Sequence, residues 1–321
     1  MRLTKLFLWI CGLIACVVAG EAVLRLSKRF PPPIYPPKSR HPELEAYEPI
    51  GYRLHPSHRT TIPYPPDNPR MIVVVSNRDG FRASRELDEP DPRPRVVFLG
   101  DGFVSGDGNQ ESERFTNRLE AQIPSLRMDN LAMTGFSPDL ALRTLETFGL
   151  KLKPKLVVFC MYTDAYRRVR PEYDGSGFAI PRYELDSGRL VSVPYPRLHF
   201  WDLLSLSVAT KKILWTYTNW QWDLNQAILD RYEQLGDQQP FQKAILFLPG
   251  TDDNSSDRKR RSWLKQYADR HGTPFLDLSD PMHKIGERAF IPGNPHYSPA
   301  GHQVIAEELE RFFRDRHLPS L

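Results

Sequence analysis

The chain has few groups able to do covalent chemistry, and they gather at the ends of apolar runs. Val96-Val97-Phe98-Leu99 leads into Gly100-Asp101-Gly102-Phe103-Val104-Ser105-Gly106, which presents a carboxylate and a hydroxyl where a helix-compatible stretch opens. Cys160-Met161-Tyr162-Thr163-Asp164 ends another run on a hydroxyl and a carboxylate. The imidazole in comparable company is His296, within Gly293-Asn294-Pro295-His296-Tyr297-Ser298-Pro299-Ala300-Gly301-His302. Turns that follow buried strands are where open sheets place reactive groups. A hydroxyl beside His296 would make an activated nucleophile for acyl transfer. Asp101 and Asp164 would offer a carboxylate pair for acid and base work. Each candidate also has a plainer role. Ser105 fits as a small polar cap on its helix, and Ser298 followed by Pro299 reads as a helix N-cap with proline at the first position. His302 is expected on the surface of the last helix, and His271 and His283 lack metal-ligand spacing. Gly100, Gly102, Gly106 and Gly108 crowd a helix start, but neither the dinucleotide fingerprint nor a Lys-Ser/Thr pair follows them. No cofactor and no metal are expected.

These groups need a sheet to hold them. Arg95 to Leu99, Met128 to Ala132, Lys155 to Met161, Lys243 to Leu248 and Pro274 to Leu278 are short apolar runs of strand length, with helical patterns between most of them. That alternation predicts an α/β fold with a doubly wound, mostly parallel sheet. Phe115 to Ile123 is helix-compatible, and Pro299 to Arg316 carries Val304, Ile305, Leu309 and Phe312 at helical spacing. From about 165 to 240 the rhythm breaks. Arg182 to Leu185 and Arg189 to Val193 flank Asp186-Ser187-Gly188 like a hairpin, and helical segments with Trp201, Trp215, Tyr217, Trp220 and Trp222 follow. Those aromatics fit the packing of an inserted helical layer, with a sugar-binding or membrane-facing surface as the alternative. Before the sheet, 51–93 reads as a small β element that includes Met71 to Ser76 and the turn Asn77-Arg78-Asp79-Gly80.

The four blocks together resemble the SGNH (GDSL-type) hydrolases. Gly100-Asp101-Gly102 aligns with that family's Gly-Asp-Ser, so the nucleophile position is Gly102. Asn130-Leu131-Ala132-Met133-Thr134-Gly135 resembles the second block, in which the resemblance implies that Gly135 lends an amide to the oxyanion hole. Thr163 stands where the family has an oxyanion-hole asparagine. His296 matches the catalytic base, and its usual aspartate partner falls on Asn294 or Gly293. The resemblance covers roughly 94 to 315. It implies the flavodoxin-like three-layer fold of a serine esterase, with a catalytic set lacking its serine, asparagine and aspartate. In triad enzymes an Asp to Asn change alone costs on the order of 10^4 in turnover. Two readings of function are open: a domain that binds an envelope glycan or acylated ligand without cleaving it, or an esterase or acyltransferase that pairs His296 with the displaced Ser105, one helical turn from Gly102. A purely structural role in an envelope assembly is the third.

The N-terminus bears on location. Arg2 and Lys5 precede an apolar run from Leu6 to Gly20, then Glu21 and Ala22-Val23-Leu24, close to the length of a membrane span. Residues 1–26 are expected to be a retained signal-anchor, making a single-pass membrane protein with its domain outside the cytoplasm. Cleavage after Gly20 and lipidation at Cys16 are the alternatives. Residues 27–50, with Phe30-Pro31-Pro32-Pro33-Ile34-Tyr35-Pro36-Pro37, read as an extended spacer, and 94–317 as the main domain. Across 321 residues, 43 Lys and Arg against 39 Asp and Glu are interspersed, which implies no nucleic-acid partner. The cluster Asp257-Arg258-Lys259-Arg260-Arg261 fits the exposed start of a helix. Three cysteines make no disulfide framework, and Cys160 falls in a buried strand.

Overall fold

The computed structural model describes residues 2–29, 42–65, 70–169, 180–193, 201, 204–217 and 220–319. The proline stretch 30–37 lies outside the described residues, as does part of the 165–240 interval. Helix α1 (Arg2–Ser27) is apolar and unburied, and Lys5–Ser27 is long and apolar enough to cross a membrane, with mean hydropathy 2.3 over its best window. Two antiparallel pairs follow: β1 (Leu44–Tyr47) with β2 (Gly51–Leu54), and β3 (Arg59–Tyr64) with β4 (Arg70–Val75).

The main sheet is built from β5 (Arg95–Leu99), β6 (Arg127–Asn130), β7 (Leu156–Tyr162), β10 (Gln242–Leu248) and β11 (Phe275–Asp277), all parallel and ordered β11-β10-β7-β5-β6. Numbered within the sheet this is the flavodoxin-like order 2-1-3-4-5, whose chain direction reverses between β5 and β7. The loops leaving those two strands therefore flank the crevice. The expected strands all occur, with ends shifted by a residue or two, and the 182–193 hairpin is formed by β8 (Arg182–Asp186) and β9 (Arg189–Val193).

Strand alternation splits the core into two layers. Val96, Phe98, Val158, Cys160 and Leu246 pack with helices α3 (Phe115–Gln122) and α9 (Pro299–Arg316) on one face. Val97, Leu99, Phe159 and Phe247 pack on the other face with α4 (Pro138–Thr147), α6 (Trp220–Gln238) and α7 (Ser255–His271). Tyr52, Ile72 and Phe81 join this second layer, so the N-terminal β element shares the domain's core. Between the hairpin and α6 lies α5 (Ser205–Tyr217), and α8 (Ser279–Ile285) precedes the last block. Trp222 packs against Tyr166 and Trp263, whereas Trp201 is exposed.

Two surface expectations fail. Asp257 and Arg260 turn inward from the first turns of α7, while Arg258 and Lys259 stay exposed, because the helix start abuts the end of β7. His302 is buried at 1% exposure under α3, where its Nδ1 accepts the N–H of Phe115, the first residue of that helix. Burial, followed by the charges of Arg118, Arg114 and Arg82, pulls its pKa down to about 3. The unfolded chain protonates this imidazole near its ordinary value of about 6.5, and the fold does not. Its contribution to stability is thus complete above that value and lost as pH falls toward the folded one. Replacing His302→Gln is expected to flatten the decline of the urea midpoint between roughly pH 6.5 and 4.5, by up to about 1.4 kcal/mol per pH unit at its steepest. An unchanged slope would show that His302 does not set it.

Candidate functional site

The turn after β5 enters helix α2 (Gly102–Ser105), with Asp101 as its N-cap accepting the N–H of Phe103 at 3.1 Å. Asp101 is buried, and burial pushes its carboxyl up against the opposing pull of Arg168, whose guanidinium lies 2.5 Å away. The aspartate thus shapes the turn. Asp164 is held by Arg167 and, at 2.8 Å, by Arg260, so the two strand-end carboxylates each have their own arginines and do not form a pair.

Gly102 faces the imidazole. A Cβ on Gly102 would lie 3.0 Å from His296 Nε2, so this position, and not Ser105, is where a hydroxyl would meet the base. The same Cβ would lie 2.3 Å from Asp107 Oδ2. A carboxylate therefore occupies the space of a nucleophilic side chain. Asp107 Oδ2 stands 3.7 Å from His296 Nε2, and its Oδ1 accepts the Thr134 hydroxyl at 3.0 Å. The imidazole is 20% exposed and the carboxylate 13%, so a ligand can reach the gap between them.

Asp107 is held in place by its loop. Gly106 and Gly108 on either side have φ of +80° and +79°, a region L side chains rarely adopt, and a Cβ on Gly108 would strike Tyr64 and Ile291. Beneath the loop, the buried Arg82 guanidinium donates to the carbonyls of Gly106 at 2.7 Å, of Ser105 at 3.4 Å and of Asn109. Arg114 donates to Ser105 O and to the carbonyl of Arg82 itself. Arg82 follows the turn at Asn77, whose Oδ1 accepts the N–H groups of Asp79 and Phe81. The Asn77 to Arg82 stretch thus serves to pin the loop that carries Asp107.

On the other side of His296, Nδ1 lies 2.9 Å from Asn294 Oδ1 and 2.7 Å from the Tyr64 hydroxyl, which also donates to Asn294 Oδ1 at 3.1 Å. Asn294 takes the geometric place of an orienting aspartate but brings no charge. Tyr64 arrives from β3, far away in sequence; burial, then the Asp107 charge, raises its pKa, so it stays a neutral hydroxyl. Phe103 stacks on His296 with centroids 4.5 Å apart, and Tyr162 stacks on Phe103 in turn. A cleft of about 790 Å³ lined by Thr251, Ile291, Gly293 and Asn294 opens beside this group.

Gly135 comes to the same mouth, next to Thr134. Neither its N–H nor that of Gly102 has a partner among the described residues. Thr163, at the end of β7, does not join them. Its hydroxyl donates to Asp257 Oδ1 at 2.5 Å and lies 3.4 Å from Arg260, so it is committed to α7. Ser105 is buried on α2, and no hydrogen bond joins its hydroxyl to His296 among the described residues. Sequence reasoning missed Asp107, Tyr64 and Arg168.

Set beside solved structures, the chain is similar to a lipolytic protein of the G-D-S-L family from Desulfitobacterium hafniense, with 14% identity, TM-score 0.45, and 68% of this chain and 99% of that one covered. A psychrotrophic esterase from Pseudoalteromonas sp. matches at 13% identity and TM-score 0.46, covering 69% and 97%. A catalytic mutant of an acetylxylan esterase from Geobacillus stearothermophilus matches at 13% and 0.44, covering 68% and 93%. No family model matches the sequence, and no curated protein matches it. The strand order and the geometry at the strand ends carry the functional reading.

Proposed function

We propose that the chain is a membrane-anchored, extracytoplasmic SGNH-like domain that has given up serine-ester chemistry and binds an envelope glycan or acylated ligand between Asp107 and His296. Residues 1–26 are its anchor, the spacer expected over 27–50 ends before β1 (Leu44–Tyr47), which pairs with β2, the small β element runs from there to 93, and 94–317 is its SGNH-like domain, with an insertion at about 165–240. The observation that carries this reading is the carboxylate of Asp107 in the space a serine side chain would fill. Ester hydrolysis builds negative charge on the substrate oxygen beside Gly102. A like charge roughly 4 Å away opposes it by about 4 kcal/mol at an effective dielectric of about 20, which is roughly a thousandfold in rate. A carboxylate facing an imidazole across a narrow, partly open gap suits ligand hydroxyls instead, since both accept hydrogen bonds from them.

Calorimetric titration of the detergent-solubilised full chain with acetylated and unacetylated glycan fragments tests the proposal. Binding is expected to weaken at least about tenfold in Asp107→Ala and in His296→Ala, the size of one lost charge-assisted hydrogen bond, and to survive Ser105→Ala. Affinity indifferent to both site substitutions would remove the pocket from the function.

The unpartnered amides of Gly102 and Gly135 favour a second reading, an esterase or acyltransferase that pairs His296 with Ser105. It requires aryl-acetate turnover that both Ser105→Ala and His296→Ala abolish. A purely structural role requires that pocket substitutions leave the cell's phenotype untouched.

A further inference from the structure

Helix α5 is joined to the membrane helix by a polar contact at an informative depth. The Glu21 carboxylate on α1 accepts the N–H of Ser205 at 2.9 Å and of Leu206 at 2.9 Å, the first two amides of α5, and it also pairs with Arg25 at 2.6 Å. These amides have no intrahelical acceptor, so the carboxylate both caps α5 and finds partners of its own. Residues 6 to 24, between Lys5 and Arg25, span about 28 Å at 1.5 Å per residue, against a hydrocarbon thickness of about 30 Å. With Lys5 and Arg25 reaching the two interfaces, Glu21 lies one turn inside the Arg25 boundary. The first turn of α5 must meet it at that level.

The exposed apolar groups cluster in the same segment. Outside α1, the large apolar side chains exposed among the described residues are Met71, Val191, Trp201, Ile213 and Leu214. Three of these five fall between 201 and 214, at 59%, 55% and 58% exposure. Moving such a group out of water gains about 25 cal/mol per Å², and at the headgroup and acyl boundary apolar side chains of this kind form the buried face of an interfacial helix. The sequence of α5 also carries Lys211-Lys212 immediately before Ile213-Leu214, the composition that favours anionic headgroups.

We infer that α5 is a second membrane contact, lying in the lipid interface beside the α1 exit with Trp201, Ile213 and Leu214 in the bilayer. The inference rests on the membrane-anchored reading of α1. It sets the domain against the lipid surface at α5.

The test uses the full chain in vesicles of phosphatidylcholine and phosphatidylglycerol. The background is Cys11→Ser with Cys16→Ser, and Cys160 stays buried and unreactive. An environment-sensitive fluorophore is placed at Leu214→Cys, with Leu13→Cys in α1 and Val191→Cys on the hairpin as references. Lipid-borne nitroxide is expected to quench the 214 label several-fold more than the 191 label, and Glu21→Ala is expected to reduce that difference. A 214 label as water-exposed as the 191 label, while the 13 label is in lipid, overturns the inference and leaves the anchor standing. A 13 label also in water overturns both. Protection of the 214 label in native membranes but not in pure lipid assigns the face to a protein partner, and this too overturns the inference.

Discussion

The triple variant Gly102→Ser/Asp107→Ala/Asn294→Asp is expected to react with a fluorophosphonate and to hydrolyse aryl acetates, whereas Gly102→Ser alone is not. The reason is steric before it is chemical. The Cβ of a residue at 102 would overlap Asp107 Oδ2 at 2.3 Å, and that carboxylate is tied to Thr134 on a loop clamped by Arg82 and Arg114, so making room strains or breaks the Thr134 hydrogen bond. Removing it frees the space and the negative charge together. The new hydroxyl then faces His296 Nε2, and the amides of residues 102 and 135 have no partner among the described residues. Asn294→Asp supplies the base's missing anionic partner, because Asn294 Oδ1 already lies 2.9 Å from His296 Nδ1. In triad enzymes that charge is worth on the order of 10^4 in turnover. The triple variant should therefore exceed Gly102→Ser/Asp107→Ala by about three to four orders of magnitude in initial hydrolysis rate. A Gly102→Ser single variant as reactive as the triple would show that Asp107 does not obstruct the site.

Arg82→Ala should be among the most destabilising single changes in the chain. Arg82 is 4% exposed, and its guanidinium donates to the carbonyls of Ser105, Gly106 and Asn109; without it Ser105 keeps Arg114 and Gly106 keeps the Asn109 N–H, but the Asn109 carbonyl loses its donor. Deleting it opens a cavity and strands the Asn109 carbonyl, at a cost of about 2 to 4 kcal/mol. Arg82→Lys keeps the charge but has no planar fork to serve separate carbonyls, so it should recover only a minor part. Equilibrium urea unfolding of both variants checks this, and a loss below about 1 kcal/mol for Arg82→Ala would mean the clamp is not what holds the Asp107 loop.

The sheet was legible in the sequence because its strands are compact apolar runs at the centre of a three-layer fold, where burial on both faces leaves few alternatives. The place of the candidate site was legible for the same reason: Gly102 follows β5 and His296 precedes the last helix, and the fold brings the two together. Its content was less so. Asp107 lies between two glycines that in the sequence read only as part of an incomplete nucleotide fingerprint, whereas their positive φ values serve to aim a side chain. Tyr64 reaches His296 from an antiparallel pair more than two hundred residues away, and no local pattern announces such a contact. Thr163 occupied the expected strand end, but its hydroxyl was taken by Asp257, which charge patterning had put on a solvated face. His302 could have been found. It shares the helical spacing of Ile305, Leu309 and Phe312, and a histidine on that stripe is buried once α3 covers it.

The natural site holds a carboxylate where a nucleophile would be, and so it should form no covalent adduct. Intact-mass measurement of the wild-type full chain after prolonged exposure to a fluorophosphonate, with the triple variant as the positive control, tests this most directly. The predicted result is an unmodified wild-type mass beside a modified triple variant. A stoichiometric adduct on wild-type Ser105, lost in His296→Ala, would contradict the account.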